Sequence, residues 1–373
     1  MKAGFEKFNL EIYGESHAPE IGVILDGIPT GTELTLSCVK NLLARRKSVG
    51  GVWATPRKEE DEPEIVSGLT RTGDTYTVNG KIEIKIKNNN VRPKDYDETL
   101  TTPRPSHADY AAYKKDGRIS SGGGRFSGRM TAALCVAGGI AQELLEGAGV
   151  RICAYISELA GIVGRGYETD TDIALNGLSE EEEKSIKSSS FPLLGENVRE
   201  AMQEEIKRAA SDGDSVGGVI ECVVTGLEAG MLGDALFCGL EGKIAYGIYA
   251  IPAVKGVEFG NGFGLTSARG SIANDGFIIK DGEVVTATNH GGGINGGISN
   301  GMPVIFRVAV KPTPSISKPQ RSVNLADMTE CVISVKGRHD ACIAPRAVPC
   351  VEACTALALL DEALKLRDGI ELY

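Results

Sequence analysis

Two of the chain's four histidines stand among small and polar residues, where an imidazole could move a proton near neutral pH. His17 lies in GESHAPEIGVILDGIPTG (14–31), beside Ser16 and just ahead of an apolar run. A second segment, GDSVGGVIECVVTGLEAG (213–230), repeats the frame of Gly-acid-Ser followed by an apolar run, but carries Val216 where the first carries His17. A frame repeated with one polar residue added points to that residue serving chemistry rather than the fold. His107 lies in RPSHADYAAYKK (104–115), among Arg104, Asp109, Lys114 and Lys115. That setting suits an imidazolium held near anionic chemistry.

The other candidates are cationic. In SGGGRFSGR (121–129), three glycines, Arg125, Ser127 and Arg129 lead into an apolar stretch. Ser127 reads as an N-cap, and free N–H groups at a helix start beside arginine make an anion site. KPTPSISKPQR (311–321) has too many prolines for a helix or central strand. Lys311, Thr313 and Ser315 could donate to a phosphate or a flat cofactor, and the segment reads equally well as a solvated loop. GRHDACIAPR (337–346) gathers Arg338, His339, Asp340 and Arg346, and LLARRK (42–47) ends a helix on three cations, as the dipole alone would favour. No paired carboxylates and no metal-ligand spacing accompany them. This chemistry fits a small substrate with two or three negative charges, with room for a phosphorylated cofactor.

Two familiar patterns are misleading. Gly213-Asp214-Ser215-Val216-Gly217 fits a nucleophile elbow, but an expected helix precedes it and a strand follows, the reverse of the required order. Gly291 to Gly296 fits a dinucleotide fingerprint, yet it leads towards a strand rather than a helix.

The elements that must position these residues can be read from periodicity. Strands are expected at 21–26, 82–87, 151–157, 217–225 and 304–310. Helices are expected at about 36–47, 128–146, 196–211 and 347–366, with 180–189 a solvated helix or loop. GRFSGRMTAALCVAGGIAQELL (124–145) and GRHDACIAPRAVPCVEACTALALL (337–360) both run from Gly-Arg through a second arginine into a long apolar helix. Together with the repeated Gly-acid-Ser frame, they predict one α+β domain over 1–373. It is a β-α-β sandwich of two pseudo-symmetric halves, about 8–150 and 205–366, with antiparallel sheets layered on central helices.

The 373-residue chain is 42% hydrophobic and carries a net charge of −10, which argues against a broad nucleic-acid surface. Only 5% of residues are aromatic, too few for base-stacking platforms. No apolar run approaches the ~20 residues of a membrane span. MKAGFEKFNLEIYG has no signal-peptide core. Nine scattered cysteines without a CxxC pair fit a reducing cytoplasm better than a disulfide or zinc framework.

In this order, the segments GESHAPEIGVILDGIPTG, RPSHADYAAYKK, GGGRFSGRMTAA, GDSVGGV, IPAVKGVEFGNGF, GGINGGISNGMP, KPTPSI and GRHDACIAPRAVP resemble the chorismate synthase family from about residue 8 to 362. The resemblance implies a β-α-β sandwich assembled as a homotetramer. The implied reaction eliminates phosphate from 5-enolpyruvylshikimate 3-phosphate to give chorismate, with reduced FMN and no net redox change. By motif, His17 would protonate the leaving phosphate and His107 would stabilise the anionic reduced flavin. Asp340 would assist proton movement at the flavin N5, with Ser16 and Ser127 as relay partners. FMN contacts would come from Arg125, Phe126, Ser127, Pro252, Ala253, Gly296, Lys311, Pro312, Thr313, Pro314, Ser315 and Arg338. Arg46, Arg129, Arg338 and His17 would meet the substrate. Some members also reduce their flavin with NADPH; this chain shows no separate nicotinamide motif, so an external reductant is expected. Relative to the usual family pattern, Ala18 and Ser106 replace glycines, Phe126, Gly128 and Met130 depart from GRSSARET, and Val52 stands where a second arginine is common, with Lys47 or Arg57 as substitutes. The competing reading is a non-catalytic flavin- or anion-binding protein on the same scaffold.

Overall fold

A computed structural model describes residues 1–47, 60–89, 98–335 and 339–366. Two antiparallel sheets enclose a layer of helices. The first sheet takes its strands from the first 87 residues: Lys2–Ala3, Asn9–Gly14, Glu20–Asp26, Thr75–Lys87 and Glu33–Leu34 in spatial order, with Pro63–Thr72 also paired to Thr75–Lys87. Alternation decides its faces. Ile82, Ile84 and Ile86 point inward and are buried, while Lys85 and Lys87 pair with glutamates on the outer side. The second sheet runs Val254–Phe259, Val304–Val310, Gly218–Thr225, Arg151–Leu159, Ile162–Val163. Strand Arg151–Leu159 lies outside both of the sequence-defined halves, yet it belongs to this sheet.

The three inner strands of the second sheet are largely buried on both faces, which explains why they read as mostly apolar runs. Its outer face is covered by Tyr167, Ile173, Leu178, Ile186 and Leu194, packed on Cys153, Tyr155, Val223 and Ile305. Helix Glu180–Ser188, the charged stretch left open between helix and loop, forms because Ser179 and Glu182 make a capping box, and Ile186 anchors it.

Two central helices, Thr131–Gly147 and Ala344–Ala363, join the layers. They pack on each other; the first also meets the first sheet and the second meets the second sheet. Both are buried nearly all round, so each carries apolar side chains on every face, with the buried Glu352 of the second paired to Arg45. Small residues set the spacing. A Cβ on Gly138 would lie 2.3 Å from the Cβ of Ala353, and one on Gly139 would lie 2.6 Å from the Cα of Val39 in helix Ser37–Arg46. The glycine pair thus lets three helices converge. Helices Asp109–Asp116 and Leu240–Ile248 were not expected from periodicity; the first is too short for a clear apolar repeat.

Candidate functional site

The repeated Gly-acid-Ser frame is a loop-holding device in both halves. In the first, Ser16 Oγ donates to the Ser121 carbonyl (3.2 Å) and the Ser16 N–H to the Gly124 carbonyl (3.2 Å). In the second, Ser215 Oγ donates to the Thr313 carbonyl (2.8 Å) and the Val216 N–H to the Ala341 carbonyl (2.9 Å). Ser215 is therefore a turn residue. A helix, Arg199–Ser211, precedes it and the strand Gly218–Thr225 follows, opposite to a nucleophile elbow. Likewise, the Gly291–Gly296 segment continues into a hairpin and then strand Val304–Val310, so it opens no helix.

The loop held by the first frame carries the chemistry. Gly122, Gly123 and Gly124 all have positive φ (62°, 86° and 52°). A Cβ on Gly122 would lie 2.7 Å from His17 Nε2, and one on Gly123 would lie 3.1 Å from His107 Cε1. Two histidines ninety residues apart thus flank one glycine dipeptide. Side chains at these positions would occupy the space the imidazoles fill. His17 Nδ1 is 3.0 Å from Ser121 Oγ, a partner absent from the sequence reading. Ser127 instead caps the short turn Gly128–Met130 ahead of the central helix, accepting from the Arg129 N–H (3.3 Å).

His107 is held by a buried ion pair. Its Nδ1 lies 2.6 Å from Asp109 Oδ1, and Arg104 grips both oxygens of Asp109, at 2.7 and 2.8 Å. Burial pushes the Asp109 carboxyl up, but hydrogen bonds from Arg104 and His107 overcome it and hold the group far below the usual carboxylate range. Arg104 also donates to Ser315 Oγ at 3.1 Å, tying this cluster to the proline-rich loop of the other half. Ser106, where the family pattern has glycine, sits at φ 61°, in the left-handed region that glycine fills without strain. Its carbonyl accepts from Lys311 Nζ at 2.6 Å.

A cleft of about 730 Å³ opens beside this cluster. From the first half it is lined by Arg46, Arg104, His107, Gly122, Arg125, Phe126, Ser127 and Arg129. From the second come Pro252, Ala253, Lys255, Lys311, Thr313, Pro314, Ser315, His339, Asp340 and Arg346. His17 borders it through Gly122. Arg46 and Arg129 share the buried carboxylate of Asp61: Arg46 Nη1 reaches Oδ2 at 2.8 Å and Arg129 Nη1 bonds Oδ1. Arg346 donates to Asp340 (2.7 Å) and to the Arg46 carbonyl (2.9 Å), drawing a second-half arginine up to the first-half pair. Arg125 pairs with Asp116 at 2.6 Å, its guanidinium 4.8 Å from the centre of the Phe126 ring.

Two features mark the cleft as built for an anion with polar edges. Lys311 has its pKa lowered, first by burial and then by the charge of Lys255 beside it. A nearby anion would offset both costs. Thr313 Oγ1 is buried without a hydrogen-bond partner among the described residues, an arrangement that native interiors avoid unless a ligand completes it. Ala253 at φ 74° turns the backbone so that its carbonyl accepts the Lys311 N–H at 3.0 Å. These donors fit the phosphate and the anionic ring system of a reduced flavin mononucleotide, and the cleft is within the ~300–1,000 Å³ of small-molecule sites.

Of the residues assigned from sequence, most are brought to this one place. Gly296 is an exception: it occupies an exposed hairpin turn near Asp234–Gly239 and does not line the cleft. Pro312 is exposed beside the lining. Arg338, Val52 and Arg57 lie outside the described residues, so the arginine departure at position 52 has no structural account. The reading from residues missed Asp61 and Ser121, which carry no local signal, and left Arg104, Asp109 and Arg346 as context rather than site. Among the described residues, Glu6, Asp361 and Glu362 come close enough to hold a cation, but Lys243 and Lys365 already sit on them. No described helix is long and apolar enough to cross a membrane.

The family model of chorismate synthase matches residues 8–364. A chorismate synthase of Dehalococcoides mccartyi is 43% identical over 365 residues, covering 97% of this chain and 96% of the relative. One of Thermococcus kodakarensis is 42% identical over 361 residues, covering 96% of each. Among solved structures, a crystal structure of chorismate synthase superposes with a TM-score of 0.76 at 25% identity, covering 98% of this chain and 94% of that one. These relatives carry the name of an enzyme, which leaves the non-catalytic alternative without support.

Proposed function

The chain belongs to the chorismate synthase family, lyases of the shikimate pathway, and from that premise we propose how its residues form chorismate from 5-enolpyruvylshikimate 3-phosphate. The observation that carries the reading is the glycine pair 122–123, flanked by His17 and His107 at the edge of a cationic cleft shared by both halves, about 8–150 and 205–366. The substrate carries a phosphate and two carboxylates. Arg46, Arg129 and Arg346 form a preorganised cationic wall for these groups, already aligned by Asp61 and Asp340. Such fixed charges lower the barrier because they need no reorientation as charge builds on the leaving group.

Reduced FMN, when bound, supplies an electron transiently to the substrate and recovers it, with no net redox change. Lys311, Thr313 and Ser315 from one side and Arg125, Phe126 and Ser127 from the other would hold it, with Pro252 and Ala253 shaping the floor. His107, backed by Asp109 and lining the cleft, would offer the counter-charge to the anionic flavin. His17, with Ser121 on Nδ1, has Nε2 directed at the glycine loop, where it can give a proton to departing phosphate. Asp340, which lines the cleft and accepts from Arg346, would take up or pass on a proton near the flavin.

We extend the proposal to a cytoplasmic homotetramer fed by an external flavin reductant. Self-association is supported by bare apolar side chains, among them Phe237 (96% exposed) and Phe263 (82%). The test of function is anaerobic incubation with substrate and reduced FMN, following phosphate and chorismate. Reduced FMN should sustain many turnovers and oxidised FMN none. NADPH with oxidised FMN and no added reductase should also give none. Turnover with oxidised FMN alone would refute the reading.

A further inference from the structure

Two cysteines that the proposed reaction does not use meet at the wall of the cleft. Cys350, in the second central helix, lines the cleft. Cys135, in the first central helix, lies behind it with no exposed surface, and the Sγ atoms are 4.0 Å apart. Three residues further along each helix, Gly138 meets Ala353 so closely that a Cβ would clash at 2.3 Å. That contact fixes the separation and rotation of the two helices next to the thiols. Reaching the ~2.05 Å of a disulfide needs about 2 Å of approach, shared between two side-chain torsions.

We propose that Cys135 and Cys350 form an oxidisable dithiol: a small peroxide entering the cleft is reduced at Cys350, and Cys135 resolves the product to a disulfide. In the first step the Cys350 thiolate attacks one peroxide oxygen. An S–O bond forms, the O–O bond breaks, and hydroxide leaves with the electron pair. In the second, the Cys135 sulfur attacks the Cys350 sulfenic acid. The S–S bond forms and the S–O bond breaks. The Cys135 proton goes to the departing hydroxide, and the proton that Cys350 lost on forming its thiolate neutralises the hydroxide of the first step, so two thiols and one hydrogen peroxide become one disulfide and two waters.

The order of attack follows from the surroundings. The contact with Cys135 Sγ, the charge of Arg46, Thr131 and the charge of Arg346 together lower the Cys350 thiol against the cost of burial. Cys135 is pushed well up by the same contact and by burial, so it stays a thiol until a sulfenic acid forms beside it.

The test treats the whole protein with hydrogen peroxide and maps its cysteines by mass spectrometry after trypsin without reductant. A disulfide should join the peptide of residues 130–151 to that of 347–365. Fragmentation should place the second sulfur at Cys350 rather than Cys354, and dithiothreitol should release it. In Cys135→Ala the cross-link should vanish, and dimedone should instead label Cys350 as the trapped sulfenic acid; Cys350→Ala should give neither product. Wild-type protein that keeps both thiols open to alkylation, or joins other cysteines, overturns the proposal. The readout needs no turnover, so it stands or falls separately from the proposed reaction.

Discussion

Gly122→Ala probes the contact that brings His17 to the cleft. Gly122 has φ 62°, where a Cβ costs roughly 1–2 kcal/mol from backbone strain alone. The same Cβ would stand 2.7 Å from His17 Nε2, whereas ordinary contact begins near 3.4 Å, so the ring must withdraw by about 0.7 Å. Ser121 Oγ tethers the ring to the loop at 3.0 Å, and that bond would be distorted as the ring moves. Displacing a catalytic group by ~1 Å can cost ~10²-fold in rate, so phosphate release should slow about 10–100-fold, or roughly 1.4–2.7 kcal/mol of barrier. Gly73→Ala is the matched control: Gly73 also has φ 62°, but a Cβ there meets nothing within 4 Å. Both variants should lose thermal stability from the backbone strain, Gly122→Ala at least as much as Gly73→Ala because of its contact with His17, and only Gly122→Ala should lose turnover in the anaerobic phosphate-release assay with reduced FMN. Equal turnover in the two variants would show that the glycine loop does not position His17, and the reasoning would fail.

His17→Ala should cut turnover by the ~10²–10⁴-fold typical of a general acid, while flavin affinity measured by fluorescence titration stays close to wild type. Asp109→Asn leaves Arg104 buried beside a neutral partner and should destabilise the fold by about 3–5 kcal/mol in urea titrations. Because the folded Asp109 carboxyl lies below its ordinary range, its contribution is present above about pH 4 and fades as pH falls through the folded value; the gap between wild type and variant should therefore narrow in acid. Lys311→Ala removes a charge-assisted donor worth about 1.5–3 kcal/mol and should weaken reduced-FMN binding roughly 10–100-fold. In wild type, with the Lys311 pKa lowered by burial and by Lys255, flavin affinity should begin to fall at a lower pH than an ordinary lysine would allow, which equilibrium dialysis across pH can check.

The sequence alone determined the local elements and the kind of chemistry. Period-2 alternation at 82–87 and the unbroken apolar runs at 128–146 and 347–366 follow from which faces are buried, and that is written residue by residue. The repeated Gly-acid-Ser frame was legible too, as was the histidine present in one copy only, because both are written in adjacent residues; the distant carbonyls of Ser121 and Thr313 that the two serine hydroxyls hold were not. What the tertiary structure decided is who meets whom. Only the packing of three helices around Gly138 and Gly139 sets Arg346 against the Arg46 carbonyl across three hundred residues. Only the triple-glycine loop shows why Ser121, and not Ser127, faces His17. Asp61 was invisible for the same reason: its role as the shared counter-charge of Arg46 and Arg129 arises from a non-local encounter, and no spacing along the chain encodes it.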